Sequence, residues 1–443
     1  MRAEEMTKLI LAEVAKTGAT DAIATIIEVE ELMLRISNDE ITVADVLKEA
    51  TASVFAYDKD RKAGVTMADL GKRSLQSGAR KAVEIARKSP EGGFYAALPK
   101  GPFDYDKGLL ASPEMDLDAA RMVGVLQEAC EAAIKEGAAR NAGSLIVRNY
   151  KVTNHTSAGA FGVSSRSTAE LSLRSFGKEG GSGHAVAIGI NEKDLQPTKV
   201  GAEAGELTRR SERAVIGEAG EYTAVLGPMV FADVASQVGR SASAFLVDAG
   251  MSFLDGKVGE KLFAEKFSIS EDPTLPNCYG SSPFDMEGVP RRRVPIVDHG
   301  TVVGYLHNTS TAAKFKTETT ASAGIVAPHA TNLDIAAGDS TLEEMISSVT
   351  KGIYVTNDWY LRYQNMATGD FSAIPRDAMF LIENGKITKP LREMRISDSI
   401  PRMLANISSL TKDRQWIKWW EVETPTLTPA AVIEKVKFTR SSG

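Results

Sequence analysis

From about Lys266 onward this 443-residue chain is patterned mostly as strands and turns, which commits its second half to a core built on sheets. Two tight turns stand out there, at Asp298-His299-Gly300 and at Glu383-Asn384-Gly385-Lys386. Met379-Phe380-Leu381-Ile382 precedes the second turn and Ile387-Thr388 follows it, so Asn-Gly flanked by apolar strands predicts a hairpin. Two short helices, Leu342 to Val349 and Ile400 to Ile407, interrupt the strands. Trp416, Trp419 and Trp420 cluster near the end, where they either cover a core edge or belong to a protein interface.

The first half alternates differently. A helix over Glu4 to Lys16 carries Met6, Leu9, Ile10 and Val14 on one face. Strands follow over Ala24 to Ser37 and Glu49 to Met67, the latter folded at the polar stretch Tyr57 to Gly64. Asp69 reads as the N-cap of a helix running through Ala86, with Leu75, Ala79, Ala82 and Ile85 as its buried stripe. Ser89 to Pro113, rich in Pro, Gly and aromatics, reads as a connection. A second helix runs from Asp116 or Asp118 to about Lys135. Strands then fall at Ser144 to Thr153, Gly162 to Arg174 and His184 to Ile190, and a charged helix at Lys199 to Val215. The fold class is therefore α+β. An N-terminal domain, 1–220, places helices on a sheet and contains the connection at about 89–115. A β-rich, antiparallel and barrel-like C-terminal domain follows over 221–443.

Composition narrows the function classes. A chain that is 43% hydrophobic and 25% charged is ordinary for a soluble globular protein, and no run is long and apolar enough for a bilayer span. Met1-Arg2-Ala3-Glu4-Glu5-Met6 is acidic where a signal peptide is basic, which makes the cytoplasm the expected location. The net charge of −6 argues against broad nucleic-acid binding, and no direct nucleic-acid partner is expected. Arg291-Arg292-Arg293 is the densest basic run; a solvated strand start or an acid-paired cluster explains it. Cys130 and Cys278 are the only cysteines, too few and too far apart for a disulfide framework or a zinc cluster.

The chemistry is sparse. His155, His184, His299, His307 and His329 never stand at helical ligand spacing, and no glutamate flanks a pair of them. Gly177 to Gly183 is Gly-rich but lacks the Lys-Ser/Thr of a phosphate loop, and His184 occupies the place of a nucleophile elbow's second glycine. A helix read from Pro228 to Gly250 has Val230, Val234, Val238, Phe245 and Leu246 at apolar spacing. Its stretch Asp233-Val234-Ala235-Ser236-Gln237-Val238-Gly239-Arg240 offers no ready zinc ligand.

The order of several segments is more informative than any one of them. Phe284-Asp285-Met286-Glu287-Gly288-Val289-Pro290, Arg292-Arg293 and Gly304-Tyr305-Leu306-His307 resemble segments of the TldD/PmbA (TldE) family of modulators of DNA gyrase. So do Ser252-Phe253-Leu254, Val258-Gly259, Glu271-Asp272-Pro273-Thr274, Asn332-Leu333, Gly352-Ile353-Tyr354-Val355-Thr356, Thr368-Gly369-Asp370-Phe371 and Thr424-Pro425-Thr426, in the same order. In that family one kind of subunit is a metallopeptidase with H-E-x-x-x-H on a central helix and a late cysteine; the TldE/PmbA kind lacks these and pairs with it. Counting back from Ser252 sets the six motif positions on Ala235-Ser236-Gln237-Val238-Gly239-Arg240. The two histidine positions then hold Ala235 and Arg240, the glutamate position holds Ser236, and no cysteine follows Cys278.

The resemblance implies a TldE/PmbA-like subunit with no catalytic residue and no metal ligand of its own, zinc being expected only in a TldD-like partner. The implied partners are that metallopeptidase subunit and an extended, unstructured or modified peptide held by strand addition, without a membrane partner; whether the isolated chain forms a homodimer stays open. Two other readings stand beside it. One is a stand-alone homodimeric peptide- or protein-binding module without proteolysis. The other is a diverged enzyme using His184 or His307 with nearby hydroxyls.

Overall fold

A six-stranded antiparallel sheet organises the first half, in the order Arg61–Met67, Glu40–Asp58, Asp21–Ser37, Arg140–Thr156, Phe161–Phe176, Ser182–Gly189. The structure is a computed structural model and describes residues 1–91 and 95–440, so part of the connection at 89–115 lies outside the described residues. The strand Asp21–Ser37 shows why four helices share one face of this sheet. Side chains alternate along a strand, and the even-numbered residues toward its two ends face the helices. Ala22, Ala24 and Ile26 meet the helices Ala3–Ala15 and Lys72–Lys88, while Leu32, Leu34 and Ile36 meet the helices Ala119–Lys135 and Pro197–Arg210. The last two helices touch backbone to backbone. A Cβ on Gly201 would lie 2.0 Å from the Ala129 carbonyl oxygen, and one on Gly205 would lie 2.4 Å from that of Ala133. Only glycine fits there.

Three details differ from the sequence reading. Residues 40–48 are strand, although both faces are exposed and Arg61–Met67 pairs only with residues 52–58. Their charges and lack of a buried face hid the alternation. The helix Lys72–Lys88 is capped by Gly71, and Asp69 instead accepts a hydrogen bond from the Gly71 amide at 2.8 Å. Ile85 is exposed, and Val83 and Ala86 take its place on the buried stripe.

In the second half five strands close on themselves as a barrel: Lys351–Asn365, Gly220–Leu226, Ala431–Arg440, Met394–Ser399 and Asp370–Glu383, which pairs back to Lys351–Asn365. Four of these pairings are antiparallel, and Lys351–Asn365 runs parallel to Gly220–Leu226. A second six-stranded sheet packs beside the barrel. Both tight turns form as expected, with Asn384 and Gly385 at φ 51° and 76° and His299 and Gly300 at φ 44° and 78°, the left-handed pair a two-residue hairpin turn needs. Trp419 is buried while Trp420 is exposed, so the tryptophan cluster divides between core edge and surface. No helix among the described residues is long and apolar enough to cross a membrane.

The two halves meet through the segment Phe284 to Pro290. The Asp285 carboxylate accepts from the Glu287, Val289 and Ala323 amides at 3.0, 2.9 and 3.0 Å, which folds the segment into a closed turn. The turn then receives the first half: Asn154 donates to the Met286 carbonyl at 3.0 Å and Tyr105 to that of Gly288 at 2.8 Å. These residues serve as a joint.

Candidate functional site: the motif helix and its cleft

The helix that carries the six motif positions begins where the barrel strand ends. The Gly227 amide donates to the Val355 carbonyl at 2.8 Å, and Pro228 stands at the first helical position, where its missing N–H and fixed φ cost nothing. The helix spans Pro228–Ser241 and stops short of the sequence reading. Leu306 captures the chain there, accepting from the Ala244 amide at 3.0 Å and donating to the Ala242 carbonyl at 2.8 Å. A separate short helix, Ala244–Asp248, follows, and Phe245 on it is exposed instead of facing the core.

Helical geometry separates the three motif positions. Neighbouring residues point about 100° apart, whereas residues four apart share a face. Val230, Phe231, Val234, Ala235 and Val238 are buried in the apolar core of the second half, so Ala235 lies inside that core. Ser236 and Arg240 turn outward onto a cleft of about 920 Å³, together with Asp233 and Gln237. The opposite walls carry His329, Tyr363, Arg362, Trp420 and Glu421.

The residues at the motif positions do not fit a zinc ion. Ala235 has no donor atom. Ser236 donates its hydroxyl to the Asp233 carbonyl at 3.0 Å, and Arg240 is cationic and exposed. Among the described residues no three His, Cys, Asp or Glu side chains converge as a metal site. Cys278 faces a different groove beside Tyr279 and Arg414, and Cys130 sits in the first-half core. Burial raises both thiols, to about 11 and about 12 respectively, so neither is poised as a thiolate.

What the cleft does hold is buried acid. Asp233 is 1% exposed and Asp358, behind it, 0%. Burial, and then the negative charge of neighbouring carboxylates including Glu421, pushes both carboxyl groups well above the usual carboxylate range. Asp233 Oδ2, Gln237 Oε1 and both Asp358 side-chain oxygens make no hydrogen bond within the chain. Glu421 is better supported: it accepts from the Tyr360 amide at 2.9 Å and the Trp420 indole at 3.1 Å, and pairs with Arg362 at 3.2 Å. The sequence reading quoted Asp233 without a role, weighed His329 only as a metal ligand and passed over Asp358 and Glu421, because their proximity arises only when distant strands and loops fold onto one helix.

A second chain of polar contacts looks superficially catalytic. Ser172 Oγ lies 2.9 Å from His184 Nε2, His184 Nδ1 lies 3.1 Å from the Asn357 amide nitrogen, and that nitrogen donates to Asp377 at 2.8 Å. Its polarity is wrong for a serine hydrolase. The Asn357 side-chain oxygen accepts from the Asp358 amide at 2.9 Å, which fixes the NH₂ group toward His184 and Asp377. His184 Nδ1 must then accept, so the ring proton sits on Nε2 and faces the serine hydroxyl as a donor. Burial holds His184 down to about 4, and the ring stacks edge-on against Trp419 at 4.9 Å. With Arg174 donating to Asp377 at 2.6 Å, this network ties the first-half sheet to the barrel. His307, also held to about 4 by burial, contacts Thr311 at 3.3 Å and packs against Phe315.

The comparisons with known proteins agree with this architecture. Residues 219–440 match the family model described as PmbA/TldA metallopeptidase C-terminal domain. The chain is 29% identical over 402 residues to metalloprotease PmbA of Escherichia coli O157:H7, covering 84% of this chain and 83% of that one. With a metalloprotease of Methanocaldococcus jannaschii it shares 29% identity over 204 residues, only 44% of either chain. The crystal structure of TldE from Thermococcus kodakarensis superposes with a TM-score of 0.85 at 18% identity, covering 99% of this chain and 100% of that one, a likeness of fold. On the family match over half its length and the PmbA relative, the chain belongs to the PmbA/TldD family.

Proposed function

We propose that this chain is the non-catalytic, TldE/PmbA-like subunit of a two-chain cytoplasmic metallopeptidase, in which a TldD-like partner supplies zinc and the catalytic base. One observation carries the reading: of the three motif positions, one is an alanine sealed in the core and the other two present a serine and an arginine to the cleft. A metallopeptidase needs ligands with lone pairs around an open coordination position, and a cation on the same wall opposes a metal. The role left for this chain is architectural and recognitive. Its barrel and cleft wall complete the chamber and help hold an extended, unstructured or modified peptide for the partner's metal centre.

The test is reconstitution. The purified chain is expected to contain no stoichiometric zinc and to leave unstructured peptides intact. Adding a chain that carries H-E-x-x-x-H is expected to give a stable complex and peptide cleavage. Failure of the two chains to associate, with peptide capture by the isolated homodimer, would replace this reading by a stand-alone binding module.

A further inference from the structure

We propose that the cleft over the Pro228–Ser241 helix is a subsite for a basic side chain, a guanidinium or ammonium group carried by an extended peptide. The proposal rests on the peptide-binding reading above and adds the kind of residue the cleft selects. Its floor holds acceptor atoms that no donor of the chain meets. Asp233 Oδ2 and Gln237 Oε1 are one helical turn apart, both line the cleft, and neither has a hydrogen-bond partner within the chain. Behind them both oxygens of Asp358 are equally unpartnered. Leaving buried acceptors unsatisfied is costly, and a donor-rich cation answers several at once.

The acids do not converge as a metal site, which favours an organic cation whose several N–H groups reach separated oxygens. Gln237 lies over Asp233 and is held only by contacts of 3.4 and 3.5 Å to it, so it can swing aside as a ligand enters. The rim suits the rest of such a side chain. Trp420 is 58% exposed beside Trp359, with ring centroids 5.3 Å apart, and offers a face for an aliphatic stem and for a cation. Two resident cations do not block the site. Arg362 is paired with Glu421, and Arg240 stands seven residues beyond Asp233, roughly 10 Å along the helix axis, exposed to screening solvent.

The test uses the full-length chain and two fluorescein-labelled Gly/Ser peptides, identical except for a central arginine in one and its neutral isostere citrulline in the other. Fluorescence anisotropy is expected to show the arginine peptide binding about tenfold tighter or more. Asp233→Asn is expected to reduce it to the citrulline level, and Trp420→Ala, at an exposed position, to weaken it by about threefold or more. Equal affinity of the wild-type chain for both peptides would overturn the subsite while leaving peptide binding intact. No binding of either peptide would overturn both. An arginine preference that survives in folded Asp233→Asn would also overturn it, because the cation would then sit elsewhere.

Discussion

Arg291 shows how much one side chain can hide in a sequence. Its side chain is 3% exposed and lies 3.3 Å from Glu271, which is fully buried, and it also donates to the Ala321 carbonyl at 2.6 Å and to Thr331 at 3.1 Å. Of the three consecutive arginines, Arg293 approaches Asp272 at 3.6 Å and Arg292 reaches the Thr319 carbonyl, so two of the three are paired with acids. Removing one partner of a buried pair strands the other charge. Arg291→Ala is therefore expected to cost about 3–5 kcal/mol, read by urea denaturation. Asp358 has the opposite character, a buried carboxyl with no partner. Its folded-state proton affinity is raised, so its contribution favours the folded state at low pH and is lost as pH climbs through the raised value. Asp358→Asn should flatten the fall of Tm as pH rises above the ordinary carboxylate range and raise Tm at the upper end; an unchanged pH profile would contradict the assignment. The basic run could be seen in the sequence but the burial of Arg291 could not, since Glu271 and Thr331 come from different segments.

For elements, the motif helix was legible where periodicity governs and illegible where tertiary contacts do. Val230, Val234 and Val238 are spaced as a helix face and are buried as one. The end at Ser241 had no local signal, because Leu306 imposes it from outside the helix. Strand 40–48 was missed for a related reason: with no buried face, it shows no alternation. The small residue at the fifth motif position has a steric cause. A Cβ on Gly239 would lie 2.6 Å from Leu333 Cδ2, so Gly239→Ala is expected to cost about 1–3 kcal/mol by overpacking, checked by thermal unfolding. Rebuilding the motif as Ala235→His, Ser236→Glu and Arg240→His together should lower Tm, because the first change forces an imidazole into an apolar core. The triple variant is expected to carry no stoichiometric zinc by elemental analysis, and tight zinc with peptide cleavage would contradict the geometry described for the helix.

At the scale of the whole molecule, the halves are joined by polar contacts that a linear reading could list but not connect. Asp285 shapes the joint, Asp377 links Arg174 and Asn357, and Glu170 collects Arg148, Lys418 and Tyr279. The segments that carried the family resemblance include this joint, which explains why order along the chain was informative although no single segment held chemistry. The helix and its cleft then sit on a barrel whose closure depends on strands far apart in sequence. A metal centre on this helix would need ligands that Ala235, Ser236 and Arg240 do not supply. The decisive measurement is zinc content and peptide hydrolysis for the chain alone and after mixing with an H-E-x-x-x-H partner. No stoichiometric zinc and no cleavage alone, with both appearing in the complex, is the expected result. Stoichiometric zinc and cleavage by the isolated chain would contradict it.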